Sequence, residues 1–86
     1  MRLEGTAYKG DSRLAMMTVE IPETSESFSH NLDQALLQLC KILNLPLPLW
    51  LKKNTREFAT FRQTTFFPDQ YTEPVNFDQF YIKLID

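Results

Sequence analysis

The sequence has few glycines, and this scarcity excludes the common phosphate-binding loops. Gly5 and Gly10 are the only two glycines in 86 residues. P-loops and dinucleotide-binding turns need several glycines at a single strand-to-helix turn, where each one adopts a backbone conformation or allows a close approach that other residues do not. Nucleotide binding of these kinds is therefore excluded, and no cofactor is expected.

Cysteine and histidine are equally scarce. Cys40 is the one cysteine and His30 the one histidine, so the chain forms no internal disulfide and lacks the ligands of a zinc site. On a helix that begins near residue 29 the two would lie about 15 Å apart along the axis. We expect His30 to hydrogen-bond locally and Cys40 to flank the core as a free thiol, which is typical of a reducing compartment.

The chain also lacks an excess of positive charge and a long apolar run. Nine basic and eleven acidic residues give a formal net charge of -2, which is not the charge of a general duplex-DNA or RNA binder. The longest apolar stretch, residues 45–51, contains Pro46 and Pro48 and is too short to span a bilayer. The first residues show no apolar segment typical of a signal peptide. The sequence predicts a cytoplasmic protein with no membrane insertion.

Catalytic constellations are missing as well. Glu20, Glu23 and Glu26 are close in sequence, but paired carboxylates need surroundings that separate their pKa values, and a stretch rich in Ser and Thr offers none. The serines between residues 25 and 29 lack a Gly-x-Ser-x-Gly context and are typical of helix caps. We expect no catalytic residue and no enzymatic activity.

The residues that are present favour one small globular domain over 1–86. Hydrophobic residues make up 43% of the chain and charged residues 23%, a balance that allows one core at this length. Residues 2–21 have the pattern of a β-hairpin, with period-two alternation from Leu14 to Ile21, a turn at 9–12 and a partner strand over 3–8. Gly5 indicates a bulge or the close approach of another backbone.

A long amphipathic helix is predicted next. Its apolar residues recur in steps of three and four and form one stripe: Leu32, Ala35, Leu36, Leu39 and Leu43. Ser27 or Ser29 is expected to cap the first turn, and Asp33 to complement the positive end of the helix dipole. Asn44, followed by a proline, ends the helix.

The pattern over 49–62 fits either a helix or a strand, and we interpret it as a second helix opened by Pro48. Trp50, Phe58 and Phe61 would form its apolar stripe, and Asn54 with Glu57 resembles a capping box. A short strand over 64–67 should end at Pro68, followed by a loop over 68–78 with one turn of 3₁₀ helix.

The last segment, 79–85, alternates again and is predicted to be a strand docked in the middle or at a protected edge of the sheet. The order β-β-α-(α)-β-β predicts an α+β fold, a mostly antiparallel sheet with one long amphipathic helix on one face. Apolar residues occupy both faces of the final strand, with Tyr81 and Ile85 on the second face, and Leu14 and Met16 lie on the outer face of the hairpin. Because such a domain covers one sheet face, either residues 45–71 wrap the other face or a partner chain does, and we expect a protein partner or a homodimer.

Residues 50–71 carry the second notable pattern, in which four basic residues alternate with aromatic rings. Basic residues with outward rings hold single-stranded nucleic acid, although rings at helical spacing normally fill a core. Protein binding is the first interpretation and single-stranded nucleic-acid binding the alternative. The candidate interaction surface comprises Trp50, Lys52, Lys53, Arg56, Arg62 and Tyr81.

Two stretches in the C-terminal half resemble small bacterial proteins of uncharacterised function. They are residues 49–58, Leu-Trp-Leu-Lys-Lys-Asn-Thr-Arg-Glu-Phe, and residues 76–80, Asn-Phe-Asp-Gln-Phe. The resemblance implies a bacterial origin. It implies no known activity and no functional residue.

Overall fold

A computed structural model of the chain describes residues 1–85, which form an α+β fold. The strands form one antiparallel sheet in the order β2-β1-β4-β3, so the predicted fold class and antiparallel sheet are confirmed. Two α-helices accompany the sheet. The elements are β1 (Arg2–Lys9), β2 (Ser12–Glu20), α1 (Phe28–Leu43), α2 (Lys52–Phe61), β3 (Gln63–Phe66), a 3₁₀ turn (Pro68–Gln70) and β4 (Gln79–Leu84).

The predicted hairpin is present, but Gly5 has a different role from the one expected. The turn uses Gly10 at φ 58°, a left-handed conformation that favours glycine. The bulge lies between Ala7 and Tyr8 and not at Gly5. A Cβ at position 5 would lie only 2.5 Å from Leu39 Cδ2. The close approach at Gly5 is therefore made by a helix side chain and not by another backbone.

Helix α1 begins and ends where its capping residues predict. The Ser27 hydroxyl accepts a hydrogen bond from the backbone N of His30 at 3.1 Å, and Asn44 ends the helix at φ 57°. Asp33 lies beyond the first turn, so its expected contact with the helix dipole is wrong. The predicted stripe faces the core, with Leu43 only partly buried.

Helix α2 differs from its prediction at its start. It begins at Lys52, after an extended Leu51, so Pro48 does not open it. Asn54 is the third helical residue and not the cap. The expected capping box of Asn54 and Glu57 is therefore wrong, because the helix starts three residues earlier than that pair requires.

The three aromatic residues predicted to form the apolar stripe of α2 differ in position and in burial. Phe58 is buried in the core, whereas Trp50 precedes the helix and is half-buried. Phe61 leaves 65% of its surface exposed. Helix α2 therefore contributes one helical turn of apolar contact to the core, centred on Phe58.

The final strand lies in the middle of the sheet, as its apolar sequence predicted. β4 pairs with β1 on one side and with β3 on the other, and it ends at Leu84, so Ile85 lies outside it. The strand predicted over 64–67 is shifted by one residue, and Pro68 begins the expected 3₁₀ turn.

Both helices pack on the same face of the sheet. Phe66 and Phe80 are paired neighbours, and both are fully buried. The Trp50 ring lies 5.7 Å from the Phe66 ring, so the segment around α2 covers this inner face and does not wrap the other one. The outer face is mixed in character, because β4 presents Tyr81 and Lys83 there. The expectation of an apolar second face on β4 is therefore wrong.

Cys40 lies at the centre of the core with 1% exposure. Burial raises the pKa of its thiol to about 11, so it stays protonated and unreactive at neutral pH. Within residues 1–85 there is no cluster of three or more potential metal-ligating side chains, and no helix in that range has the length and apolarity to cross a membrane.

Replacing Gly5 by Ala tests the packing of α1 on the sheet. The new methyl group would overlap Leu39 and Phe80, and we expect the free energy of unfolding to fall by about 1–3 kcal/mol. The exposed Thr72→Ala, in the loop before β4, should change it by less than about 0.5 kcal/mol. Urea unfolding monitored by circular dichroism measures both, and equal midpoints for Gly5→Ala and the parent chain would contradict this packing.

Candidate interaction surface

A buried polar network attaches α2 to the sheet. Asn54 is fully buried, and its Oδ1 accepts a hydrogen bond from the backbone N of Leu51 at 2.9 Å. Its Nδ2 donates to Thr64 Oγ1 at 2.8 Å. The Thr64 hydroxyl in turn donates to Glu57 Oε1 at 2.6 Å. One amide side chain therefore joins the start of α2 to β3.

Gln70, on the 3₁₀ turn, completes this network. It is also buried, and its Nε2 donates to Asn54 Oδ1 and to the backbone O of Leu49, both at 3.0 Å. Its Oε1 accepts from the backbone N of Phe67 at 3.1 Å. Neither amide is predicted to be buried from the sequence, because Asn54 has the pattern of a helix cap and Gln70 lies in a predicted loop.

Trp50 serves mainly as a core residue. Its ring packs against Phe58 at 6.1 Å and Phe66 at 5.7 Å between centroids. The indole N donates to Thr55 Oγ1 at 2.8 Å, which satisfies the one polar group of the ring at the protein surface. Trp50 is half-buried, so only part of its ring is accessible to a ligand.

The four basic residues of the candidate surface do not form one patch. Lys52 and Arg56 are exposed one turn apart on α2, while Arg62 follows the helix at its other end. Lys53 is half-buried, and its Nζ lies 4.6 Å from the centre of the Phe67 ring, a cation–π contact. Three cations are thus near the start of α2 and one is near its end.

An open cleft of about 270 Å³ lies between α2 and β3. We call it the Phe61–Phe67 cleft, after the two exposed rings that line it. Phe61 and Phe67 leave 65% and 38% of their surfaces exposed, and the contact with Phe67 places Lys53 beside the cleft. The remaining lining residues are Glu57, Gln63, Thr64, Thr65 and Tyr81.

Tyr81 is held in this cleft as a neutral phenol. Its hydroxyl donates to Gln63 Oε1 at 2.6 Å. Burial, followed by the nearby charges of Glu4 and Tyr8, raises its pKa. Of the candidate residues, the structure therefore brings Lys53 and Tyr81 to one cleft. The exposure of Phe61 is not predicted from the sequence, because its helical spacing from Phe58 indicates a core position.

A second cleft, of about 470 Å³, separates α1 from α2. Phe28 and Phe58 line it with ring centroids 6.3 Å apart, together with the half-buried Trp50. Asp33 and Arg62, of opposite charge, also line it. This second cleft contains Trp50 and Arg62 of the candidate surface, so the predicted set divides between two clefts.

Each of the two clefts is lined by one acidic residue, Asp33 in the second cleft and Glu57 in the Phe61–Phe67 cleft. The carboxylate of Glu57 accepts a hydrogen bond from Thr64 and is the one acidic residue in the Phe61–Phe67 cleft, whereas general acid–base catalysis needs groups with separated pKa values. Besides these carboxylates, the clefts present rings, an amide, hydroxyls and the guanidinium of Arg62, which are groups able to contact a ligand.

Asn54→Ala tests the network directly. The substitution removes the acceptor of the Leu51 backbone N and one of the two acceptors of Gln70 Nε2. We therefore expect the free energy of unfolding to fall by about 2–3 kcal/mol. Asn76→Ala, at an exposed position, is the matched control and should change it by less than about 0.5 kcal/mol. Equal urea midpoints for the two variants would show that the network contributes nothing.

Comparison of the chain with protein-family models, with curated proteins and with solved structures finds no match. The bacterial origin implied by residues 49–58 and 76–80 stays a prediction. Function is therefore inferred from the surface of this chain itself.

Proposed function

We propose that this domain binds another protein chain at the Phe61–Phe67 cleft and catalyses no reaction. The observation that carries the proposal is that two exposed phenylalanine rings, Phe61 and Phe67, line one cleft beside the cation of Lys53. Aromatic side chains in a cleft are frequent energetic anchors of protein interfaces. Burial of both rings by a partner removes apolar surface from water at the point where this chain leaves it exposed.

The cleft favours a partner segment with an apolar anchor flanked by acidic residues. The anchor packs between Phe61 and Phe67, and Gln63 and Thr65 supply polar groups beside it. Lys53 lies over Phe67, and Lys52 is adjacent to it on α2. Acidic flanks on the partner complement these cations and set the orientation of docking.

Single-stranded nucleic acid is the second candidate, favoured by the same geometry. Two outward rings next to a cation make a stacking platform for bases. Phe58, Phe66 and Tyr71 are buried, so fewer rings are exposed than the sequence suggested, and the net charge of -2 opposes a polyanion. For these reasons we rank nucleic acid second.

The lone thiol of Cys40 supports a cytoplasmic location for this binding activity. A free cysteine is typical of reducing compartments, and its burial in the core gives it a packing role there.

A peptide library of apolar anchors with varied flanking charges tests the proposal. We expect selected peptides to carry acidic flanks, and we expect Phe61→Ala with Phe67→Ala to weaken their binding by about tenfold or more. Leu47→Ala, at a residue that is 50% exposed on the connector before α2, is the matched control and should bind as the parent chain does. Fluorescence anisotropy of labelled peptides measures these affinities.

A labelled oligothymidine in the same assay separates the two candidates. Tight, strongly salt-dependent oligonucleotide binding that requires Phe61 and Phe67, with no peptide bound, would replace the first candidate by the second. If neither probe binds in a way that depends on the two rings, both candidates are wrong.

A further inference from the structure

Strand β2 is an edge of the sheet and lacks most of the features that protect edges. Its one strand partner within residues 1–85 is β1. It is nine residues long and contains no proline and no lysine. Monomeric proteins usually shorten such edges or place those residues on them, because a free edge pairs with other chains. The single bulge lies near the turn, and pairing with β1 is regular from Ala15 to Glu20.

Apolar side chains flank this edge on both faces. Met16 is paired with Thr6, and Met17 with Gly5, so Met17 lies on the inner face and Met16 on the outer one. Their exposed fractions are 37% for Met17 and 48% for Met16, and Leu14 is similarly exposed. A strand that paired with β2 would bury apolar surface above and below the sheet at once.

The charges of β2 are arranged to complement a second copy of the same strand. Arg13 and Glu20 are its only charged residues and lie near opposite ends. The Arg13 guanidinium contacts Met16 Sδ at 3.7 Å, and Glu20 shares the outer face with Met16 because it lies four residues further along the strand. Both charges are therefore on the outer face.

Antiparallel pairing about a two-fold axis brings these opposite charges together. The two-fold axis can pass through Met16 or through Met17, near the middle of the strand. In either case Arg13 of one chain lies opposite a residue that is next to Glu20 in the other chain. Cross-strand pairs of opposite charge stabilise a sheet, and a two-fold axis forms this pair twice. A parallel alignment would instead place like charges at the same end.

We propose that β2 pairs antiparallel with β2 of a second copy of this chain, which joins the two sheets into one of eight strands. Nine residues extend over about 30 Å, and a strip of that length across the sheet and its helix layer buries about 600 Å² per chain, within the range of specific dimers. This is about a tenth of the 5579 Å² of accessible surface. The inference does not rest on the Phe61–Phe67 cleft, which lies at the opposite edge and stays accessible in the dimer.

Charge reversal with rescue tests the pairing. Sedimentation equilibrium over a concentration series should show a dimer for the parent chain. Arg13→Glu alone and Glu20→Arg alone should each raise the dissociation constant by about tenfold, since each places like charges at two symmetric contacts. The double variant should restore the parent value. Arg56→Glu, which changes the net charge by the same amount as Arg13→Glu but at an exposed position on α2, is the matched control and should leave the dimer intact.

Disulfide trapping places the axis. Met16→Cys or Met17→Cys, whichever lies on the two-fold axis, should give a covalent dimer under mild oxidation, because a residue on the axis faces its own copy. Thr65→Cys on the opposite edge strand is the control and should stay monomeric, and the buried Cys40 contributes no background. A parent chain that remains monomeric at high micromolar concentration would overturn the proposal, as would a dimer whose dissociation constant does not respond to the reversals.

Discussion

The hydrogen bonds of Asn54 and Gln70 are the interaction on which the C-terminal half of the domain depends. Helix α2 buries only Asn54 and Phe58, so apolar burial alone gives it a single large contact with the core. A buried amide, in contrast, is costly unless its groups are satisfied. The helix must therefore sit where Asn54 meets Leu51, Thr64 and Gln70 together. Hydrogen bonding, and not hydrophobic patterning, selects the position of α2.

The candidate surface follows from that position. Phe61 lies seven residues after Asn54 and three after Phe58, on the same stripe of α2, but it is the last residue of the helix. Phe61 then lines the same cleft as Phe67, whose backbone is held by the side chain of Gln70. The network thus fixes an exposed aromatic pair, while the opposite edge, β2, remains available along its whole length. In our proposals the two edges of one sheet serve different contacts.

Sequence patterns predicted the elements that hydrophobic periodicity controls. The hairpin, α1 with its Ser27 and Asn44 caps, and the central terminal strand all carry long apolar repeats, and their positions are close to those predicted. The start of α2 was wrong, since Asn54 can cap a helix or occupy its first turn, and only its partners decide between them. The exposure of Phe61 was missed for a related reason: a ring one turn from a buried ring has the spacing of a core residue, and only the tertiary position of the helix shows that it faces solvent.

A double-mutant cycle between Asn54→Ala and Gln70→Ala measures the central interaction most directly. If the two amides stabilise the fold as one network, the loss from the double variant will be smaller than the sum of the single losses, with a coupling free energy of about 1 kcal/mol or more. If the loss from the double variant equals the sum of the two single losses to within about 0.5 kcal/mol, the two residues act independently. That result would contradict the view that a shared polar network positions α2 and the surface it carries.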